Sequence, residues 1–205
     1  MGLVFRVGLN VSAHQALKLQ ELQSGFANLC NEIAKVIQKT RVWNRVALHH
    51  LTYKDLRERF PEMGAQMVCN AIYSVSRTCR LVFQHPKSPY ALEKWANRAL
   101  PLLRFNASCP VYFDRHTLSL KAGQLSMFTM DGRMRFQLKL EQEVEAHFHS
   151  KKLREMVLLR SAEDSFELAF VLEDKEQEGG DASLSALPPV PEGELPEYVM
   201  VDEVL

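Results

Sequence analysis

The chain has 205 residues, of which 46% are apolar and 24% are charged. This composition supports a folded protein with a hydrophobic core and excludes a disulfide-dependent miniprotein or a wholly disordered chain. No stretch approaches the roughly 20 apolar residues that a membrane-spanning helix needs, and the first ten residues lack the layout of a signal peptide. The sequence therefore predicts a cytoplasmic protein with no membrane partner.

The formal net charge of zero conceals two segments of opposite charge. Of the 25 acids and 25 bases, ten acids and the single base Lys175 lie from Glu173 onward. The preceding residues therefore carry 24 bases and 15 acids, an excess of nine positive charges. A basic body of this kind attracts polyanions through phosphate contacts. A merely solvated basic surface is the alternative interpretation.

The first half of the chain is predicted to be one strand followed by helices. Residues Leu3 to Asn10 alternate in part, as in a short strand. Apolar residues then recur every three or four positions between about 13 and 40, so we expect a long amphipathic helix there. Thr52, with an acid three positions later, predicts the start of a second helix. The pattern of Ala65 to Phe83 predicts a third helix, and a weaker helical pattern covers Tyr90 to Leu103.

From Val111 onward the apolar period changes to two, which predicts antiparallel strands joined by short turns. The dipeptide Asp131-Gly132 is a hairpin signal, because both central positions of a type I′ turn need positive φ. Another pair of strands is expected within Lys151 to Arg160 and Phe166 to Glu173. Residues 174–205 are rich in Glu, Gly, Ser and Pro without periodicity, so they predict a flexible acidic linker or tail.

A strand, a helical block and several hairpins together predict an α+β fold. We expect a small antiparallel β-barrel of the oligonucleotide-binding type, formed by residues 1–10 and 106–173. A helical insertion after the first strand covers residues 11–105, and the disordered acidic tail covers residues 174–205. Two independent domains are the alternative arrangement.

The sequence contains no motif for catalysis or metal binding. Its four cysteines lie among apolar residues, so we interpret them as core thiols; they are Cys30, Cys69, Cys79 and Cys109. The seven histidines show no metal-ligand spacing, and no Ser-His-Asp order, Gly-rich phosphate loop or HExxH sequence is present. We predict no metal, no cofactor and no enzymatic activity of the chain alone.

The order of these parts resembles the amino-terminal half of TnpB-like proteins. These are the RNA-guided nucleases of bacterial insertion sequences, related to type V CRISPR effectors. The resemblance covers roughly residues 1–173 and rests on the order and spacing of the initial strand and four further stretches. These stretches are Leu29 to Glu32, Leu51 to Arg57, Met63 to Ile72 and Phe113 to Leu120.

In that family this half comprises a wedge-like barrel and a helical recognition lobe, which hold a guide RNA and the guide-target duplex. The resemblance implies that guide-type RNA and DNA are partners of this chain. Family members continue into a RuvC-like nuclease domain with three carboxylates and a CxxC zinc region, which this sequence lacks. The stretch Tyr198 to Asp202 resembles only the first RuvC strand. We expect Asp202 to be an ordinary acid at a frayed end, and any nuclease to be a separate RuvC-like chain.

Phosphate contacts are expected from basic side chains on helix faces and hairpin rims, since these groups reach backbone oxygens. The candidates are Arg41, Arg45, Lys54, Arg57, Arg77, Arg80, Lys121, Arg133 and Arg135. Each could instead be solvated or paired, as Arg57 could be with the neighbouring Asp55 or Glu58. Aromatic rings stack on bases without sequence preference. The candidates are Trp43 and Tyr53, and Tyr73 and Tyr112 are further rings that could equally be core.

Two other classes of function stay open. The chain could be a protein-interaction module, in which amphipathic helices bind a partner and the acidic tail screens nucleic acid or folds back on the basic body. A helix-turn-helix DNA binder is the weaker alternative. That motif joins its helices by three or four residues, and the sequence predicts a longer connection within Thr40 to Leu51.

Overall fold

The computed structural model describes residues 2–161, 163, 165–175 and 185–203. Within these residues, four α-helices and nine strands form an α+β fold with three antiparallel sheets, which confirms the predicted fold class. The chain divides into two compact units. We call Met1–Leu22 with Pro110–Pro189 the sheet unit, and Gln23–Cys109 with Val190–Leu205 the helical unit. Among the described residues, no helix combines the length and apolar character that crossing a membrane requires.

The elements follow one another in chain order as β1 (Leu3–Leu9), α1 (Ala13–Thr40), α2 (Arg45–Arg59), α3 (Gly64–Cys79), β2 (Leu102–Phe105), β3 (Val111–Phe113), β4 (Leu118–Lys121), β5 (Gln124–Thr129), β6 (Gly132–Gln137), α4 (Gln142–Ser150), β7 (Lys152–Arg160), β8 (Phe166–Glu173) and β9 (Val199–Asp202). Short 3-10 turns occupy Pro61–Met63 and Leu92–Trp95, and a π-helical turn, Arg80–Gln84, extends α3. The predicted strand at Leu3 and the long first helix are therefore confirmed.

The largest sheet of the sheet unit has the strand order β1-β8-β7-β3. Its first strand pairs with β8, from Leu3 opposite Leu172 to Leu9 opposite Phe166. Because β8 lies between two strands and is covered on both faces, all its residues except Glu167 are buried. Burial on both faces explains why its sequence is nearly continuous in apolar residues rather than alternating.

The second sheet of the sheet unit contains β4, β5 and β6. Ala122 and Gly123 join β4 to β5 with φ of 49° and 72°, the type I′ geometry. The turn predicted at Asp131-Gly132 is wrong by one residue, because Gly132 already pairs with Thr129 as the start of β6. The Thr129 hydroxyl fixes this register: it donates to Gly132 O at 2.7 Å and accepts from Asp131 N at 3.3 Å.

The sheets form no closed barrel within the described residues. Closure requires the two edge strands of a sheet to pair with each other. Here β1 and β3 are edges of the four-stranded sheet, and β4 to β6 form a separate sheet. The described strands therefore form open sheets, and the oligonucleotide-binding-like barrel stays a prediction. Alternating residues identify strands, but they do not identify which strands pair over long separations.

Helix α4 was not predicted. It contains no buried residue, so its sequence shows little apolar periodicity. It still packs on the four-stranded sheet through two rings. Phe148 meets Phe170 edge-on at 5.1 Å and lies 6.5 Å from Phe5, and the His147 ring lies 5.7 Å from Phe5. These contacts explain how a short polar helix is retained in the sheet unit.

The core of the helical unit contains apolar side chains of three helices, namely Phe26, Ile33 and Ile37 of α1, Leu48 and Leu56 of α2, and Val68, Ile72 and Val75 of α3. The predicted start of the second helix at Thr52 is wrong. Asn44 caps it, with its Oδ1 accepting from Val46 N at 3.1 Å and Ala47 N at 3.2 Å. Thr52 is buried within the helix and donates to Leu48 O. The connection from α1 to α2 is thus four residues, and its length does not exclude a helix-turn-helix.

The helix predicted over Tyr90 to Leu103 is also wrong. The segment contains a 3-10 turn and then strand β2, which begins directly after Pro101. Proline lacks the amide that a helix or a central strand needs, and it is compatible with a strand start. Pro101 is therefore incompatible with a helix that extends to Leu103, although the local apolar pattern favoured one.

Part of the predicted flexible tail forms a strand. Strand β9 pairs with β2 along its whole length, from Leu102 opposite Asp202 to Phe105 opposite Val199. Asp202 forms an ion pair with Arg104 at 2.8 Å and is not frayed. The prediction of a flexible tail is therefore wrong at Val199–Asp202, whereas residues 176–184, 204 and 205 lie outside the described residues.

The four cysteines form no disulfide. Cys30, Cys79 and Cys109 are buried, which confirms their interpretation as core thiols, and Cys69 is half-buried. Burial raises the pKa of the Cys30 and Cys79 thiols well above the ordinary value. These two thiols are therefore protonated at neutral pH.

Candidate nucleic-acid interface

One side of the three-stranded sheet is open. Burial alternates along β5 and β6, and the buried side carries Leu125, Met127, Met134 and Phe136. Directly paired residues share a face of a sheet, so the register also assigns the other side. This sheet face comprises Ser119, Lys121, Gln124, Ser126, Phe128, Arg133, Arg135 and Gln137.

The sheet face brings together three of the predicted phosphate-binding residues. Lys121, Arg133 and Arg135 are all exposed, and no acidic residue belongs to the face. Arg133 and Arg135 stand two positions apart on β6, about 7 Å along the strand. The register across two hairpins therefore produces a cationic patch that includes one half-buried ring, Phe128.

Arg133 is held flat against its neighbouring strand. Its Nε donates to Ser126 Oγ and its Nη2 to Ser126 O, both at 2.9 Å, while Nη1 donates to His116 O at 3.2 Å. Three of its five N–H donors are thereby used. The orientation of this guanidinium is fixed before any ligand arrives, which lowers the entropic cost of binding an anion.

An acid beside the sheet face is neutralised within the sheet unit. Asp131, in the turn between β5 and β6, forms an ion pair with Lys18 at 2.9 Å. This hydrogen bond lowers the pKa of the Asp131 carboxyl from its ordinary value. The carboxylate is therefore matched by a cation and does not offset the charge of the sheet face.

A second surface lies on α2 and α3 in the helical unit. Arg45, His49 and Tyr53 occupy successive turns of α2, and the His49 and Tyr53 rings are stacked at 4.5 Å with 17° between planes. The Arg45 guanidinium lies 5.1 Å from the centre of the Tyr73 ring on α3. Arg77 donates to the Tyr73 hydroxyl at 3.4 Å. We call these five residues the helical strip.

Two other candidates have structural roles. Trp43 is only 8% exposed and packs on Phe83 with ring centres 5.5 Å apart. The structure thus assigns Trp43 to the core rather than to base stacking. Arg41 ends α1 with φ of 57°, and its guanidinium donates to Trp95 O at 3.0 Å and to Arg98 O. Its side chain therefore ties the helix end to the 3-10 turn.

The remaining candidates belong to neither the sheet face nor the helical strip. Lys54 and Arg80 are exposed, and Tyr112 is buried in β3 and belongs to the core. Arg57 is half-buried, and its Nη1 is a buried donor without a hydrogen-bond partner among the described residues. The neighbouring Asp55 pairs instead with Arg59 at 3.1 Å. Their placement brings none of these residues onto the sheet face.

Phe128, Ser126 and His49 belong to these surfaces but were not predicted from the sequence. A usable signal existed for each. Pairing β5 with β6 places Ser126 and Phe128 beside the two arginines, and His49 lies four positions before Tyr53 on a helix. Reading the hairpin register, rather than single residues, would have found them.

Within the described ranges, no group of three or more His, Cys, Asp or Glu side chains is placed to hold a metal ion. Comparison with protein-family models gives no match, and comparison with curated proteins gives none either.

Proposed function

We propose that the chain binds nucleic acid through phosphate contacts, as the guide-RNA-binding and duplex-binding portion of a cytoplasmic TnpB-like transposon protein or split type V CRISPR effector. The resemblance of its sequence stretches supports the family, and an amino-terminal barrel-like wedge belongs to that proposal. Catalysis would be supplied by a RuvC-like nuclease chain. The chain itself binds and does not cleave.

The observation that carries this proposal is the sheet face. Three exposed cations without an acidic neighbour on the same face form a local positive field, although the whole chain is neutral. Phosphate contacts of this kind position a nucleic acid without reading its sequence. Lys121 and Arg135 provide two exposed charges, and Arg133 provides one whose orientation is fixed by hydrogen bonds.

Salt dependence tests the proposal directly. Each phosphate contact releases counterions, so the logarithm of the binding constant falls linearly with the logarithm of salt concentration. The experiment measures binding of the full chain to a fluorescent RNA hairpin by anisotropy at several salt concentrations. We expect the Lys121→Gln/Arg135→Gln variant to bind more weakly and to reduce the salt slope by about 2, since each lost contact reduces it by about 1.

A matched control removes two charges elsewhere. Lys39→Gln/Lys152→Gln changes two exposed lysines outside the sheet face and alters the net charge equally. The proposal requires this control to keep the wild-type slope. Equal slopes for both variants would show that only net charge matters, and salt-independent or absent binding by the wild-type chain would refute nucleic-acid binding altogether.

A protein-interaction module is the second candidate function, and one feature favours it. A groove of about 250 Å³ runs between α1 and α2 in the helical unit. Leu51 on its wall is 51% exposed, while Glu32 and Arg59 pair across it at 2.7 Å. This function predicts little nucleic-acid binding at any salt concentration, so the same titration distinguishes the two.

A further inference from the structure

The helical strip differs chemically from the sheet face. The sheet face offers cations, polar groups and the single ring of Phe128, whereas the strip combines three rings with two arginines: Arg45, His49, Tyr53, Tyr73 and Arg77. Its rings are half-buried, so ring surface remains accessible to a ligand. Val46, 66% exposed, adds apolar surface on the Tyr53 side of α2.

The strip contains no carboxylate. Helix α3 has no acidic residue at all. The two acids of α2, Asp55 and Glu58, lie about 160° and 140° around the helix from Tyr53, at 3.6 residues per turn. Asp55 is further occupied by its ion pair with Arg59 on the groove side. Within α2 and α3, the acids therefore lie away from the His49–Tyr53 ring pair.

This combination fits a ligand that is flat, apolar on its faces and anionic at its edge. A nucleotide with an unpaired base has those properties, since the base stacks on a ring and the phosphate meets an arginine. A paired base inside a duplex hides its faces and offers only phosphates. The strip is therefore suited to unpaired strands rather than to duplex.

We infer that the helical strip is a separate binding site for an unpaired nucleic-acid strand, with bases stacked on the His49–Tyr53 ring pair and a phosphate held by Arg45. The inference rests on the proposed function, because it divides nucleic-acid binding between two surfaces. The sheet face then binds by charge, and the helical strip by stacking. Its sequence preference is weak, as every base has a stacking face.

The test compares a single-stranded RNA of ten uridines with an RNA duplex of the same length, each bound to the full chain at constant salt. Replacing His49 and Tyr53 together by alanine is expected to weaken single-strand binding by roughly 5- to 150-fold per base that loses its stack. Duplex binding should change less than about twofold, because the sheet face is untouched. The conservative variant Tyr53→Phe should keep single-strand binding, since it keeps the ring.

Photocrosslinking keeps the test decisive if the double variant does not fold. A 5-bromouridine strand bound to the wild-type chain should crosslink within residues 45–53, located by mass spectrometry of the digested complex. Crosslinks confined to the sheet unit would overturn the inference.

The remaining outcomes separate the two proposals. Equal weakening of single-strand and duplex binding would show that the strip contacts backbone only, and would overturn the stacking site. Unchanged single-strand binding in a folded double variant would do the same while leaving the proposed function intact. If the wild-type chain bound neither RNA, the proposed function would fail, and the strip assignment with it.

Discussion

Strands β8 and β9 both pair with a strand from much earlier in the chain, but they are held in different ways. In β8 every residue except Glu167 is buried, so its pairing with β1 is stabilised by apolar area. In β9 only Val199 is buried, and Met200 is 53% exposed. The contacts that secure β9 are polar and specific. Long-range strand pairing can thus be stabilised by burial or by a few hydrogen bonds.

The polar contacts around β9 form a small network in the helical unit. The Asn31 side chain of α1 bonds to the backbone of β2 as a neighbouring strand would. Its Oδ1 accepts from Phe105 N at 2.7 Å, and its Nδ2 donates to Phe105 O at 3.2 Å. The Tyr198 hydroxyl shares a hydrogen bond with Thr78 Oγ1 at 3.1 Å. Asn106 donates to Glu197 O at 3.0 Å. Each of these contacts can be removed by a single substitution, so its contribution to the stability of β9 can be measured.

The largest expected effect is in β8. Phe170→Ala removes a fully buried ring that also contacts Phe148, so we expect the free energy of unfolding to fall by about 3–5 kcal/mol. Urea denaturation measures it. The half-buried Phe128 of the sheet face is the matched control, and Phe128→Ala should cost clearly less. Similar losses for both would contradict the assignment of stability to burial in β8.

The next largest effect on stability is expected at Asn31. Asn31→Ala leaves the amide and carbonyl of Phe105 without their partners, which should cost about 2 kcal/mol. Hydrogen exchange at the Phe105 amide should accelerate at the same time. Asn28, exposed on the same helix, provides the control, because Asn28→Ala removes an equal side chain without touching β2. Slow exchange of Phe105 in the Asn31 variant would show that β2 does not depend on α1.

Tyr198 provides a smaller and pH-dependent effect. Burial raises the pKa of its hydroxyl to about 12, against about 10 in an unfolded chain. The stability from the protonated hydroxyl is therefore complete below about pH 10 and is lost as the pH rises towards 12. Tyr198→Phe should cost about 1 kcal/mol at neutral pH by loss of the bond to Thr78. In an absorbance titration, the tyrosinate signal that Tyr198 adds only as the pH approaches 12 should also disappear. Tyr90→Phe is the control, because it should leave that high-pH signal unchanged.

The smallest effect is expected at the end of the sheet unit. A hydrogen bond from Lys151 holds the pKa of Asp174 at about 2. The stability from this pair is complete above the unfolded value of about 3.9 and is lost as the pH falls through 2. The wild-type advantage over Asp174→Asn in urea midpoint should therefore be present at pH 5 and should shrink below about pH 4. Glu21→Gln, at an exposed site, should show no such pH dependence if the pairing is responsible.

The same contrast explains what the sequence could predict. The apolar period of α1 predicted that helix, and the apolar stretch Phe166 to Glu173 predicted β8, because buried elements select apolar residues. Strand β9 was mistaken for part of a flexible tail. Its apolar residues, such as Tyr198 and Val199, follow a segment rich in prolines and acids, and the strand that they pair with lies far away in sequence. The contribution of Asn31 is invisible without knowing which strand it meets.

The candidate surfaces were predictable only in part. Lys121, Arg133 and Arg135 were predicted from their charge and their position at hairpin rims, and the structure places them on one sheet face. Charge could not show that Arg41 reaches carbonyls of its own chain or that Trp43 is core. Tertiary position decides whether a basic or aromatic residue meets a ligand.

The uneven burial of the cysteines has a practical consequence for labelling. Cys30, Cys79 and Cys109 are enclosed in the core of the helical unit, whereas Cys69 is half-buried on α3, one turn before Tyr73. A maleimide dye under native conditions should therefore react first at that position, since accessibility governs thiol labelling. The wild-type chain thus contains its own attachment point for a fluorescent reporter beside the helical strip, without any engineered cysteine.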